Sequence, residues 1–233
     1  MVLGGRVREA VGQASESAGA LSVVAKDPGV VHANQFGPCG ARLARLTMPA
    51  GTFASLLDDP SRFSGWHWTH DPSVAASFLK LVRRAERSTD RFEATDHDVV
   101  DLLAAFTARR AGPAHGTPPG WLGAIMEEVR DGWHPALTAG SLARRAGVHP
   151  VYLARCVRRW FSTSIGTELR RQRLRAAASG IADGRHTISN VAQDCGFADE
   201  PHLNRDFRGV TGMTPGRFRT LVRRREYNWR SIR

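Results

Sequence analysis

Lysine is almost absent from the sequence, with Lys26 and Lys80 the only two among 233 residues. Cysteine is scarce too, and its three residues, Cys39, Cys156 and Cys195, lie far apart. An odd number of separated thiols suits a reducing compartment better than a disulfide framework, so we expect a cytoplasmic protein. No apolar run approaches the roughly 18 residues of a membrane-spanning helix. The charged N-terminus also lacks the apolar stretch of a signal peptide, so neither a membrane protein nor an exported one is expected.

The positive charge lies almost entirely in the second half of the chain. Residues 1–120 hold 13 Lys+Arg and 12 Asp+Glu, whereas residues 121–233 hold 20 and 10, which accounts for the net charge of +11. Every cation of the second half is arginine, whose planar guanidinium suits phosphates and guanine edges. Codon usage in a GC-rich genome explains arginine in place of lysine, but not the neutral first half. The charge favours a polyanionic partner, either a nucleic acid or an anionic membrane surface.

The beginning of the chain is predicted to be a small β region. Within residues 1–50, the segments 20–25 and 40–48 have strand-like apolar content with Gly and Pro between them. Much further along, three prolines and three glycines within 111–120 indicate an interdomain linker, which we place at 112–120.

Residues 51–111 form a predicted helical segment. Apolar residues at helical spacing indicate one helix over 73–88, entered at Asp71 or Ser73, and a second over 95–110. Each helix has an apolar stripe. The stripes either pack within the chain or form a homodimer, and the sequence leaves both alternatives open.

From residue 121 onward the sequence is predicted to be entirely helical, and it contains an internal repeat. Segment 142–148 matches 191–197, and segment 153–158 matches 203–208. Each copy contains a short helix, a glycine and a second helix with an apolar inner face. This is the layout of a helix-turn-helix unit, whose second helix can enter the major groove of DNA.

Small residues support this layout at equivalent positions of the two copies. Ala143 precedes Gly147 by four residues, and Ala192 precedes Gly196 by four. Alanine allows a second helix to cross closely, and glycine can adopt a left-handed turn conformation.

The repeat sets the organisation of the second half. We predict one unit at about 138–161 and another at about 187–211, each starting at a threonine that can cap its first helix. A helix over 165–182 connects them, and at 1.5 Å per residue it spans about 27 Å. This length approaches the roughly 34 Å helical repeat of DNA. The whole DNA-binding domain is placed at 121–226, followed by a basic tail at 227–233.

The outward faces of the two second helices carry the candidate DNA-binding residues. Arg155 and Arg205 are equivalent in the repeat, and arginine bound to guanine is the commonest base-specific contact. The alternative is that these arginines are simply solvated. The complete set comprises His149, Val151, Arg155, Arg158 and Arg159 in the first unit, and Glu200, Pro201, His202, Asn204, Arg205 and Arg208 in the second.

Four motifs in this half form a recognisable set. They are Leu142-Ala-Arg-Arg-Ala-Gly-Val148, Tyr152-Leu-Ala-Arg155, Val191-Ala-Gln-Asp-Cys-Gly-Phe197 and Phe207-Arg-Gly-Val-Thr-Gly-Met-Thr-Pro-Gly-Arg-Phe218. Together they resemble the DNA-binding domain of AraC/XylS-type transcriptional regulators. The resemblance implies two helix-turn-helix units in successive major grooves of promoter DNA, with RNA polymerase as a further partner.

The chain departs from the pattern of that family at several positions. His149 stands where the family has a serine helix cap. Ser162 stands where the family has the glycine that ends the second helix of the first unit, and Glu168 stands where it has a tyrosine. In the second unit, residues 200–202 replace small polar residues with an acid, a proline and a histidine. We expect the acid and the proline within 200–202 to alter base preference and to weaken phosphate contact, and His149 to be a poorer cap than serine.

Residues 26–37 resemble the later strands of the cupin-type sensor domain that precedes some such regulators. A complete cupin barrel needs more strands upstream, so we interpret residues 1–50 as a partial cupin-like remnant. Either the true start lies further upstream or the sensor is degenerate, and a small-molecule effector stays open. His32 lacks the other ligands of a cupin metal site and is predicted to lie in a turn or in the core. His67 and His70 lack acidic or cysteine partners, so we predict a loop there and neither a metal nor a cofactor.

The leading interpretation is a DNA-binding transcription regulator associated with the nucleoid. An enzyme, whether a cupin-type catalyst or a DNA-repair protein, needs a reactive group that the sequence does not offer. Cys39 has no neighbouring His or Lys, Cys156 is predicted to face a helix core, and Cys195 is predicted to fill a packed turn. We therefore predict no catalytic residues. A nonspecific nucleic-acid binder, for which 223–225 would suffice, differs in showing steep salt dependence without sequence preference.

The predicted fold is mostly α with a small β region. A partial cupin-like β segment and two helices precede an all-α C-terminal domain. In that domain two helix-turn-helix units are joined by a long helix.

Overall fold

A computed structural model describes most of the chain, and its described residues are 1–48, 53, 63–85, 96–107, 117–131 and 133–223. Within these ranges a small antiparallel β region precedes a helical half, so the predicted fold class is confirmed. The predicted basic tail at 227–233 and the start of the predicted linker at 112–120 lie outside the described residues.

Five strands make up the β region: β1 (Val2–Val11), β2 (Ala14–Gly19), β3 (Val23–Lys26), β4 (Ala33–Leu43) and β5 (Trp66–Thr69). The strand order β2-β1-β4 forms one antiparallel sheet, and β3 pairs with β5 in a second. The loop predicted at His67 and His70 is wrong in part, because Trp66–Thr69 is a strand. Its residue His67 lies opposite Ala25, and its strand character comes from this pairing with a distant segment.

Helices fill the described remainder of the chain. Their bounds are α1 (Pro72–Ala85), α2 (Asp96–Thr107), α3 (Gly120–Asp131), α4 (Ala139–Arg145), α5 (Pro150–Phe161), α6 (Ile165–Asp183), α7 (Ile188–Asp194), α8 (Glu200–Thr211) and α9 (Pro215–Arg223). The predicted helices are confirmed in type and in approximate extent. Asp71 caps α1, since its Oδ1 accepts a hydrogen bond from the Ser73 amide at 2.8 Å.

The described residues form two large hydrophobic cores, and the connecting helix α6 contributes residues to both. The first-unit core is built from α3, α4, α5 and the start of α6, and includes Leu142, Leu153 and Leu169. The mixed core joins the β region, α1 and α2 to the later part of α6 and to α7–α9, and includes Leu79 and Phe207. The second helix-turn-helix unit therefore shares its core with the N-terminal half of the chain.

The N-terminal half contacts α6 at close range. A β-carbon placed on Gly4 would lie 2.5 Å from Cβ of Ala182, so the absence of a side chain lets β1 approach the helix. Arg42 donates a hydrogen bond to the Ala182 carbonyl oxygen. Arg175, on the same helix, donates to Oγ of Ser22 at 3.2 Å.

A buried carboxylate ties the two sheets together. The Glu9 side chain on β1 accepts hydrogen bonds from Nζ of Lys26 at 2.5 Å and from Nε1 of Trp66 at 2.6 Å. Burial opposes ionisation of Glu9, but these two hydrogen bonds outweigh it and lower its pKa below the ordinary value. His32 lies just ahead of β4, with its Nε2 at 3.7 Å from the same carboxylate, and its side chain is exposed rather than in the core.

Candidate nucleic-acid interface

The first helix-turn-helix unit consists of α4 and α5. A reciprocal capping box begins α4, in which Thr138 Oγ1 accepts from the Ser141 amide and Ser141 Oγ accepts from the Thr138 amide, both at 3.0 Å. Gly147 makes the turn with φ of +65°. His149 caps α5 through its Nδ1, which accepts from the Val151 amide at 3.3 Å. The predicted threonine cap is confirmed, and the histidine cap is long for a hydrogen bond.

Helix α5 separates a buried face from an exposed one. Leu153, Cys156 and Val157 face the first-unit core. The predicted DNA-binding residues of this unit, His149, Val151, Arg155, Arg158 and Arg159, are all exposed.

Tyr152 joins this surface although the sequence analysis did not assign it a binding role. Its side chain is 42% exposed, and the guanidinium of Arg155 lies 5.8 Å from the centre of its ring. This cation–π geometry holds the arginine over the ring. An aromatic residue three positions before an arginine on one helical face is the signal that identifies the pair.

The second unit consists of α7 and α8 and repeats the arrangement. Thr187 Oγ1 accepts from the Asn190 amide at 3.1 Å, and Gly196 makes the turn with φ of +72°. Asp199 caps α8, since its Oδ1 accepts from the His202 amide at 2.6 Å. The sequence analysis missed this cap, although an aspartate ahead of a Glu-Pro pair is a typical helix start.

The outward face of α8 is less open than that of α5. Pro201, Arg205 and Arg208 are exposed, whereas Glu200, His202 and Asn204 are half-buried. His202 takes part in the fold of the turn. Its Nδ1 lies 3.4 Å from the Ala198 amide that donates to it, and its ring meets Phe197 edge-on at 5.3 Å. Of the predicted residues on this face, the two arginines and Pro201 are therefore the accessible ones.

The arginines of the two outward faces differ in charge pairing from four other arginines of the domain. Arg145, Arg170, Arg171 and Arg185 each form an ion pair with a carboxylate. In the part of the chain that the structure describes, no ion pair involves the arginines of the outward faces. These are Arg155, Arg158, Arg159, Arg205 and Arg208. Five cations are thus left for an anionic partner.

The connecting helix α6 fixes the second unit from the side. Ser164 caps its start, where Oγ accepts from the Thr167 amide at 3.0 Å. Arg170 donates from Nε and Nη2 to the two carboxylate oxygens of Asp206, at 2.8 and 2.6 Å. These hydrogen bonds raise the pKa of Arg170, so the pair stays charged.

The buried thiols are unsuited to nucleophilic chemistry. Cys156 and Cys195 are buried, as predicted, and Cys39 is exposed. Burial, assisted by the charge of Asp194, raises the pKa of Cys195 to about 11, so its thiol stays protonated at neutral pH. Among the described residues, no group of three His, Cys, Asp or Glu side chains is arranged to hold a metal ion. No described helix combines the length and the apolar character needed to span a membrane.

Three solved structures are similar to parts or most of the chain. A transcriptional regulator with an AraC-type DNA-binding domain from Chromobacterium violaceum is 20% identical, covering 46% of this chain and 95% of that one, with a TM-score of 0.42. A DNA-binding transcriptional dual regulator from Escherichia coli K-12 is 21% identical over 48% of this chain and 100% of that one, with a TM-score of 0.41. ToxT from Vibrio cholerae O395 is 11% identical over 96% of this chain and 88% of that one, with a TM-score of 0.40.

A family model agrees with the geometry of the two units. Residues 142–221 match the family described as "Helix-turn-helix domain", and this range runs from Leu142, the first buried residue of α4, to Leu221, two residues before the end of α9. The match includes α5 and α8, the second helices of the two units, and the connecting helix α6. Residues 142–221 of the chain thus form a helix-turn-helix domain.

Proposed function

We propose that the protein regulates transcription initiation by binding promoter DNA sequence-specifically, with α5 and α8 in successive major grooves. The observation that carries the proposal is the pair of exposed arginine faces on repeated units. Helix α6, which connects the two units, has 19 residues and is therefore about 28 Å long. That length approaches one turn of duplex DNA.

Within this proposal the exposed residues have two kinds of role. Arg155 and Arg205 lie at equivalent positions, each on the sixth residue of its helix, where a side chain reaches base edges. Arg158, Arg159 and Arg208, one turn further along, are placed to contact phosphates. Smaller contributions come from the remaining residues, which are His149, Val151, Glu200, Pro201, His202 and Asn204.

The proposal includes two further partners, RNA polymerase and a second copy of the chain. RNA polymerase is proposed because regulation of initiation takes place at promoters. A homodimer is proposed because α1 and α2 each have an apolar stripe. The mixed core buries much of both stripes, including Leu79, Leu81 and Leu103, which favours packing within the chain. The proposed reading of DNA requires neither a cofactor nor a metal.

Selection from a random pool of DNA duplexes tests the proposal. The wild-type protein is expected to enrich one sequence with two half-sites about one helical turn apart. Arg155→Ala and Arg205→Ala should each relax the preference at a different half-site, by about 1–3 kcal/mol of discrimination. Arg8→Ala, which removes an exposed cation from β1, is the matched control and should leave both half-sites unchanged.

Two results would contradict the proposal. One is equal affinity for all duplexes, with binding that simply falls with salt, which identifies a nonspecific phosphate binder. The other is an unchanged preference at both half-sites in both arginine variants, since the two faces would then not read bases.

A further inference from the structure

Trp133 lies between the two helix-turn-helix units, in the segment that joins α3 to α4. It is half-buried and packs against both the first-unit core and the mixed core. Among the partly buried hydrophobic residues that the structure describes, Trp133 alone packs against both cores. A side chain from the lead-in to the first unit therefore reaches the core of the second.

Two further contacts surround the indole ring. The guanidinium of Arg173, on the connecting helix, lies 4.6 Å from the ring centroid, which is cation–π geometry. On the second unit, a β-carbon placed on Gly196 would lie 2.8 Å from Cζ2 of Trp133, so the turn backbone rests directly on the ring. One aromatic side chain thus touches the connecting helix and the turn that orients α8.

The contact depends on the ring rather than on hydrogen bonds. Within the described residues, neither Nε1 of Trp133 nor Nε of Arg173 has a hydrogen-bond partner. Packing and cation–π attraction therefore hold the ring in place, and phenylalanine keeps an aromatic face, although a smaller one, while removing the N–H.

We propose that Trp133 is a positioning residue that sets the orientation of the two reading helices relative to each other, and with it the half-site spacing that the protein accepts. The second part rests on the proposed function. Moving one half-site by a single base pair shifts it by about 3.4 Å and rotates it by about 34°. A contact that fixes the second unit against the first unit's lead-in resists that movement, whereas α6 alone can bend and twist.

The orientation itself is measured without DNA. Spin labels on Arg158→Cys and Arg208→Cys, in a Cys39→Ser background, report the distance between the two outward faces by double electron–electron resonance. The remaining cysteines, Cys156 and Cys195, are buried. Trp133→Ala is expected to broaden or shift the distance distribution, and Trp133→Phe to preserve it. An unchanged distribution in Trp133→Ala overturns the proposal.

The consequence for spacing is measured with duplexes that carry the selected half-sites one base pair closer or further apart. Wild type and Trp133→Phe should lose at least tenfold in affinity on the altered spacings. Trp133→Ala should lose less than threefold. An equal loss for all three proteins, or a uniform loss by Trp133→Ala at every spacing, overturns the link to spacing.

The two measurements separate the inference from the proposed function. If the wild-type protein selects no sequence, the proposed function fails and so does the spacing claim, while the spin-label distances still decide the orientation claim. If Trp133→Ala does not fold, as judged by its thermal transition, Trp133→Leu takes its place because it keeps apolar volume and removes the aromatic face. Arg173→Met is an independent variant that removes the guanidinium over the ring, and we expect it to broaden the distance distribution. An unchanged distribution in Arg173→Met would disprove the role of the cation–π contact.

Discussion

At the scale of single residues, Gly147 and Gly196 show how equal sequence positions acquire different environments. Both make the turn of a helix-turn-helix unit, with φ of +65° and +72°. A β-carbon at Gly147 would have no heavy atom within 4 Å, whereas one at Gly196 would collide with Trp133. The repeat predicts the left-handed conformation at both positions, because that requirement is local. It does not predict the collision, which depends on a residue 63 positions away in the chain.

We expect the two glycines to respond unequally to alanine. Gly147→Ala should lower the free energy of unfolding by about 1–2 kcal/mol, the cost of a left-handed conformation with a β-carbon. Gly196→Ala should cost clearly more, because the same strain is added to the steric clash with the indole ring. Urea denaturation of both variants measures the difference, and equal losses would show that the ring moves aside freely.

At the scale of elements, helix bounds were predictable and strand β5 was not. Helices α4, α6 and α7 begin directly after N-capping residues, so a local sequence pattern suffices to predict where they start. Strand β5 is four residues long and exists through its pairing with β3, about 43 residues upstream. The reading helices were recognisable from the repeat, but the half-buried state of His202 was not, since it depends on how the turn closes.

The ion pair between Arg170 and Asp206 joins two elements, and its strength can be measured by a double-mutant cycle. The Arg170 side chain is 58% exposed, so solvent screening keeps the expected coupling at about 0.5–1 kcal/mol despite the two hydrogen bonds. The cycle uses Arg170→Ala, Asp206→Ala and the double variant in thermal or urea unfolding. Molar salt should reduce the coupling, and a salt-independent value would point to packing in place of charge.

At the scale of the whole molecule, the cores do not follow the predicted segments. The sequence analysis divides the chain at 112–120, on the basis of Gly and Pro content. Composition does not reveal which faces meet, so the sharing of the mixed core between the N-terminal half and the second unit was not predicted. The contact of Gly4 with Ala182 is one place where the two halves approach closely.

Gly4→Val is expected to destabilise the N-terminal half and the second unit together. The added side chain would meet Ala182, which cannot turn away, and overpacking of this kind costs about 1–3 kcal/mol. Hydrogen exchange should accelerate in β1, in the later part of α6 and in α8, with a smaller effect in α5. Gly19→Val is the matched control, because no heavy atom lies within 4 Å of a β-carbon there. Similar acceleration in both variants would place the cause in the strands themselves.

The division of α6 between two cores has a consequence for biosynthesis. All buried members of the first-unit core fall between Leu122 and Leu169, so its contacts are short-range and it can consolidate while the chain is still emerging from the ribosome. The mixed core draws on residues from Met1 to Val222. Strand β1 packs against the later part of α6, so we expect it to gain this helical cover only after residues up to about 183 have been synthesised.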